Sequence, residues 1–155
     1  GEIGEEHDPE THLIPLVLRA ALGAAPPVAI FGTDYATPDG TAIRDYIHVE
    51  DLASAHVRAL EHLDRGGANA AVNLATGRGY SVREIIAAVA RAVGHDVPQC
   101  EAPRRAGDPP SLIADPALAH SLLGWRAECS DLDTIIGSAL AWERRRHNRS
   151  SAPRN

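Results

Sequence analysis

Short apolar runs of strand length alternate along this chain with longer stretches of helical periodicity, and glycine or proline closes most of them. This punctuation keeps every element short. No apolar run approaches the ~18 residues of a membrane span, so a soluble protein without a membrane partner is expected. Leu13 to Leu22 is apolar on most faces, with Pro15 tolerable in a first helical turn and Gly23 as the stop. Val28 to Phe31 reads as a short strand. Tyr35 to Thr41 is turn chemistry, with Asp39-Gly40 supplying the reversal. Ile43 to Val49 alternates as a strand does, with Ile43, Asp45, Ile47 and Val49 on one face and Arg44, Tyr46 and His48 on the other.

The second half continues the alternation. Asp51 to Leu63 places Leu52, Ala55, Ala59, Leu60 and Leu63 on one helical face. Ala71 to Leu74 reads as another short strand, ended by Gly77 and Gly79. Ser81-Val82-Arg83-Glu84 is a capping box, and Ile85, Ile86, Val89 and Val93 carry its helix to Gly94. Two short strands are expected between Val97 and Asp115, around the loop Pro103 to Asp108. Asp115-Pro116 opens a short helix that stops near Gly124. Ser130 and Asp133 read as the cap of a last helix with Leu132, Ile135, Ile136, Ala139 and Leu140 on its core face. Strands separated by helices indicate an α/β fold. One unit over residues 1–146 is expected, with 147–155 as a disordered tail.

Charge and composition remove several function classes. The net charge of −6 argues against nucleic-acid binding, which needs a basic face. The cluster Arg144-Arg145-Arg146 with Arg149 suits the last turns of a helix. Two cysteines, Cys100 and Cys129, are too few for a disulfide framework and read as free thiols in a reducing, cytoplasmic setting. Gly1 to Glu10 is acidic and lacks the basic start and apolar stretch of a signal peptide. With Gly1 first and no Met anywhere, the chain is expected to be part of a longer translation product. All 15 Lys+Arg positions are Arg, so a Schiff-base lysine, a P-loop or a Tyr-Lys pair has no place in it.

Some residues invite a chemical reading. Arg44 follows a tight turn in an alternating strand, and Arg105 lies in a Pro/Gly loop shortly before Asp108. Two guanidinium forks suit a diphosphate, and a carboxylate suits ribose hydroxyls. For isolated arginines the commoner account is a solvated charge, or an ion pair with a neighbour such as Asp45. Among the eight histidines, His48, His56 and His62 lie closest together but show no metal-ligand pattern, so no metal site is expected. Gly77 and Gly79 follow a strand, yet Val82 stands where a third glycine of GxGxxG belongs.

The block Phe31-Gly32-Thr33-Asp34-Tyr35, Thr37-Pro38-Asp39-Gly40-Thr41 and Arg44-Asp45-Tyr46-Ile47-His48-Val49 strongly resembles the UDP-glucose 4-epimerases. These are NAD-dependent members of the extended short-chain dehydrogenase/reductase superfamily. Further matches follow in order: Asp51-Leu52-Ala53, Asn73-Leu74 with Gly77 and Gly79, Pro103-Arg104-Arg105, Gly107-Asp108, Ala114-Asp115-Pro116 and Leu123-Gly124-Trp125. The resemblance runs to about Trp142. It implies the C-terminal, nucleotide-sugar-binding part of an epimerase, an α/β unit of short strands and helices that completes an absent Rossmann domain. NAD would be bound by that missing N-terminal half.

By the same resemblance, backbone at Ala29, Ile30 and Phe31 lies beside uracil, Arg44 holds the diphosphate and Tyr46 contacts substrate. Arg105 reaches phosphate and Asp108 reaches ribose. His12, beside Leu13, replaces an amide that usually meets the phosphates, and Leu112 borders the hexose. The catalytic Tyr of a Tyr-x-x-x-Lys pair is missing, because Tyr35, Tyr46 and Tyr80 are followed four residues later by Asp39, Glu50 and Glu84. The intact enzyme would interconvert UDP-glucose and UDP-galactose through a 4-keto intermediate, and such enzymes are usually homodimers. The chain alone would be inactive. Alternatives are a non-catalytic UDP-sugar-binding module or pseudoenzyme, and a UDP-pentose 4-epimerase.

Overall fold

A computed structural model describes Gly4, Glu5 and residues 7–150. The elements run α1 (Leu13–Ala21), β1 (Val28–Phe31), β2 (Ile43–Asp45), α2 (Val49–Asp64), β3 (Gly79–Ser81), α3 (Val82–Val93), β4 (Gln99–Ala102), β5 (Ser111–Leu112), α4 (Ala117–Leu123) and α5 (Leu132–Ser150). The expected α/β character holds. Among the described residues no helix is long and apolar enough to cross a membrane.

Helices α1, α3 and α5 pack on one another around the main core. Val17, Leu18, Ile85, Val89 and Ile136 are almost fully enclosed there. Each comes from the apolar stripe of its helix, where residues three or four apart share a face. The capping box that opens α3 forms as its sequence requires. Ser81 Oγ accepts the Glu84 N–H at 3.1 Å, and Glu84 Oε2 accepts the Ser81 N–H at 2.7 Å. Ser81 Oγ also donates to the Asp39 carboxylate, which ties the 35–41 turn to the helix. Ser81→Ala is therefore expected to cost ~1–2 kcal/mol and lower the melting temperature by ~3–6 °C. Ser81→Thr should recover most of this in the same thermal melt, and an unchanged melt for the alanine variant would refute the role given to the cap.

Two small sheets flank the core. β1 pairs in parallel with β4, from Val28 against Gln99 to Phe31 against Ala102. β2 lies between β3, antiparallel to it, and β5, parallel to it. Residues 32–42 and 103–110 thus each lead from the first sheet to the second, and the two connections run in company. This places Phe31, Arg44, Arg105 and Asp108 around one opening.

Several expectations need correction. The strand read over Ile43 to Val49 ends at Asp45. His48 is instead the N-cap of α2, its Nδ1 accepting the Glu50 N–H at 3.1 Å. A ring nitrogen placed to satisfy an orphan amide turns the chain into a helix two residues earlier than expected. Ala71 to Leu74 forms no strand; Val72 and Leu74 pack beside Trp125, Ala55 and Ala119. Ser130 does not cap α5. Its Oγ donates to Asp51 and accepts the His48 N–H, while Asp131 Oδ1 accepts the Thr134 N–H at 2.9 Å. Helix α5 runs through Ser150, and residues 151–155 lie outside the described residues. The apolar stripe of α2 exists, but Leu60 is 65% and Leu63 48% exposed.

Candidate nucleotide site

A cavity of about 860 Å³ opens between the start of α1, strand β1, strand β2 and the 103–110 connection. That volume is in the range of small-molecule and cofactor sites. Its wall brings together His12, Leu13, Ala29, Phe31, Arg44, Tyr46, Arg105 and Asp108. Two residues of the expected set lie elsewhere. The Ile30 side chain is in the core, 1% exposed, because alternate strand residues face opposite ways. Leu112 is 61% exposed on β5 and does not line the cavity.

The Arg44 guanidinium is held by three acceptors. Its Nη1 donates to the Ile43 carbonyl at 2.7 Å and to the Pro109 carbonyl at 3.0 Å, and its Nη2 donates to Asp108 Oδ1 at 3.1 Å. The neighbouring Asp45 is not its partner; that carboxylate accepts from Thr76 and from the Gly77 N–H. Arg44 is thus pinned at the wall, and it binds the loop that carries Asp108. The Arg105 guanidinium lies 3.9 Å over the Phe31 ring. Phe31, the only phenylalanine in the chain, keeps 36% of its surface exposed. A flat apolar ring beside two guanidinium groups suits a ligand with a planar base and an anionic end.

Burial raises the Tyr46 hydroxyl pKa to about 12, against the field of Arg44, so it stays a neutral phenol. On the opposite side, Glu10 Oε1 accepts from the His12 and Thr11 backbone N–H groups and bonds His12 Nδ1, each at 2.9 Å. Burial pushes the Glu10 carboxyl up, but the hydrogen bonds from His12 and Thr11 and the charge of Arg19 outweigh it and hold the group low. The His12 ring is positioned by that carboxylate at the mouth of the cavity. Glu5, His7 and His12 also come within 4.8 Å of one another there, all exposed. His7 Nε2 pairs with Glu5 Oε1 at 3.0 Å.

Sequence reading missed the part of the wall formed by Glu10, Pro15, Pro26, Pro27, Ile47 and Val82. Pro26-Pro27 was the one signal available, a rigid step between α1 and β1. The glycines Gly77 and Gly79 make no dinucleotide cradle. A Cβ on Gly79 would meet Ile43 Cγ2 at 2.4 Å, and Gly79 is itself the first residue of β3.

Residues 2–75 match the model of the NAD dependent epimerase/dehydratase family. A UDP-glucose 4-epimerase of Halalkalibacterium halodurans is 51% identical over 144 residues, which is 93% of this chain and 43% of that protein. The crystal structure of UDP-glucose 4-epimerase from Brucella ovis in complex with NAD superposes with a TM-score of 0.88 at 58% identity, covering 92% of this chain and 44% of that one. The Bifidobacterium longum enzyme, in complex with NAD+ and UDP, gives 0.80 at 42% identity over 88% of this chain and 40% of that one. The chain spans less than half the length of these relatives and corresponds to their C-terminal part.

Proposed function

We propose that the chain is a counterpart of the C-terminal part of UDP-glucose 4-epimerases, in the NAD dependent epimerase/dehydratase family that its first half matches, and that it holds the UDP moiety of a sugar nucleotide for such an enzyme. The observation that carries this reading is the convergence of Arg44, Arg105, Asp108 and Phe31 on one cavity from three separate stretches of chain. Arg44 and Arg105 supply the charge for a diphosphate, Phe31 and the Ala29 backbone flank a planar base, and Asp108 accepts from ribose hydroxyls. His12 offers a further donor at the mouth. Together they anchor the nucleotide handle, so that binding remote from the sugar orients the sugar.

In this reading the full enzyme interconverts UDP-glucose and UDP-galactose, with NAD and the proton-transferring groups supplied by a companion N-terminal half. This chain's own share, in the same reading, is the nucleotide handle alone. The bare stripe of α2, with Leu60 and Leu63, and the unpaired 71–74 segment are surfaces for that half to cover. Calorimetric titration of the chain with UDP and with uridine tests the nucleotide reading. UDP is expected to bind at least ~10-fold more tightly than uridine, and more weakly as salt rises, because the two arginines address the diphosphate. No heat at millimolar UDP, or equal affinity for uridine, would overturn it.

A further inference from the structure

We propose that Arg104, the neighbour of the cavity arginine, is a positioning residue: it clamps the 103–110 connection to the 32–42 connection and so holds the Arg105 guanidinium over Phe31. The contacts on this one side chain are of three kinds. Its Nε donates to Asp34 Oδ1 at 2.7 Å, its Nη2 donates to the Asp34 carbonyl oxygen, and its guanidinium lies 4.3 Å over the Tyr35 ring. Tyr35 is itself only 5% exposed, so the ring on which Arg104 rests is enclosed by its surroundings. A fork that grips one residue through carboxylate and carbonyl, with its plane against a held ring, sets direction as well as distance.

The backbone beneath is shaped for this contact. Gly32 has φ +84°, and a Cβ there would meet Arg104 Cγ and Tyr35 Cε2, each at 2.6 Å. Only a residue without a side chain lets the Arg104 stem cross there and the chain turn that way. The Arg104 hydrogen bonds also hold the Asp34 carboxyl below its ordinary range, with burial opposing them. The connection is tied at its start by Arg104 to Asp34 and at its far end by Arg44 to Asp108 and Pro109. Between the two ties lie Arg105 and Gly107, the latter at φ +82°. With both ends held, the adjacent guanidinium groups part, Arg104 onto the Tyr35 ring and Arg105 onto the Phe31 ring at the cavity wall. Release of the first tie leaves Arg105 free to swing into solvent.

The consequence for ligand rests on the UDP-holding reading, and the test separates the two. Hydrogen–deuterium exchange of the amides of residues 104–108, where the Asp108 N–H donates to the Arg105 carbonyl at 3.3 Å, is measured on the full 155-residue chain without ligand, for the unaltered protein, Arg104→Ala, Arg104→Lys and Asp34→Ala. UDP affinity and melting temperature are measured on the same samples. Arg104→Ala is expected to speed exchange of the loop by about tenfold or more while exchange in the core helices is unchanged. UDP affinity should fall by about tenfold, and the melting temperature should move by no more than ~2 °C, since the pair is exposed. Arg104→Lys, which keeps the charge without the fork, should recover only part of the affinity.

Unchanged loop exchange in Arg104→Ala overturns the clamp, whatever UDP does. Faster exchange with unchanged UDP affinity overturns the positioning role, and so does a large fall in melting temperature that quickens exchange everywhere. If the unaltered chain shows no UDP binding, the nucleotide reading fails, and the exchange measurement alone still decides the clamp.

Discussion

Arg44→Ala is expected to weaken UDP binding by about two orders of magnitude, with little change in thermal stability. A hydrogen bond to a charged group contributes ~1.5–3 kcal/mol, and a guanidinium facing a diphosphate makes at least two. Loss of both gives roughly a hundredfold. The alanine also releases the Pro109 carbonyl and Asp108, so under the proposed UDP-holding role Asp108 loses its anchor along with the loss of Arg44. Stability should hardly move, because the Arg44–Asp108 pair is partly solvated and such pairs contribute little. Arg44→Lys should recover less than half of the lost binding free energy. Its ammonium keeps the charge but cannot hold Ile43, Pro109 and Asp108 together in one plane. Titration calorimetry at fixed salt measures all three proteins, and an Arg44→Ala variant with undiminished affinity would remove the arginine from the site.

The largest effect on stability is expected at Trp125. Its ring is 1% exposed and packs with Ala55 and Ala119. Its Nε1 donates to the Asp51 carbonyl at 3.1 Å and to Ser54 Oγ at 2.9 Å. Removing a buried tryptophan costs ~3–5 kcal/mol, against a total of ~5–15 kcal/mol for a typical domain. Trp125→Ala should therefore lower the melting temperature by ~10 °C or more. Trp125→Phe keeps most of the packing and should lose about a third as much.

Acid should weaken the same region. Burial pushes the Asp51 carboxyl up, but the Ser130 hydroxyl and the Glu128 and Cys129 N–H groups hold it below its ordinary value. A depressed folded pKa stabilises above the unfolded value of ~3.9 and is lost as pH falls through the folded value. Melts repeated between pH 6 and pH 3 for the unaltered chain and for Asp51→Asn bear on this, the variant being expected to show the shallower acid dependence.

Much of the fold was legible before the structure. The stripes of α1, α3 and α5, the Ser81–Glu84 box and the Val28–Phe31 strand are patterns within a few residues, and local sterics and hydrogen bonding decide them. The resemblance placed Arg44, Arg105 and Asp108 in a common role, but a pattern of letters carries no distance. It showed neither the Arg44–Asp108 pair, 64 residues apart in sequence, nor the diversion of Asp45 to Thr76.

What the sequence determined by itself was the kind of most elements, though not strand β3 or the loop at 71–74, and the resemblance to the UDP-glucose 4-epimerases. Only the tertiary structure decided which apolar faces were covered, that Ser130 serves Asp51 rather than α5, and that Arg104 lies across Gly32 onto Tyr35. Periodicity depends on neighbours along the chain. Burial, ion pairing and close backbone approach depend on neighbours in space, and these are chosen when the two connections between the sheets come to lie side by side.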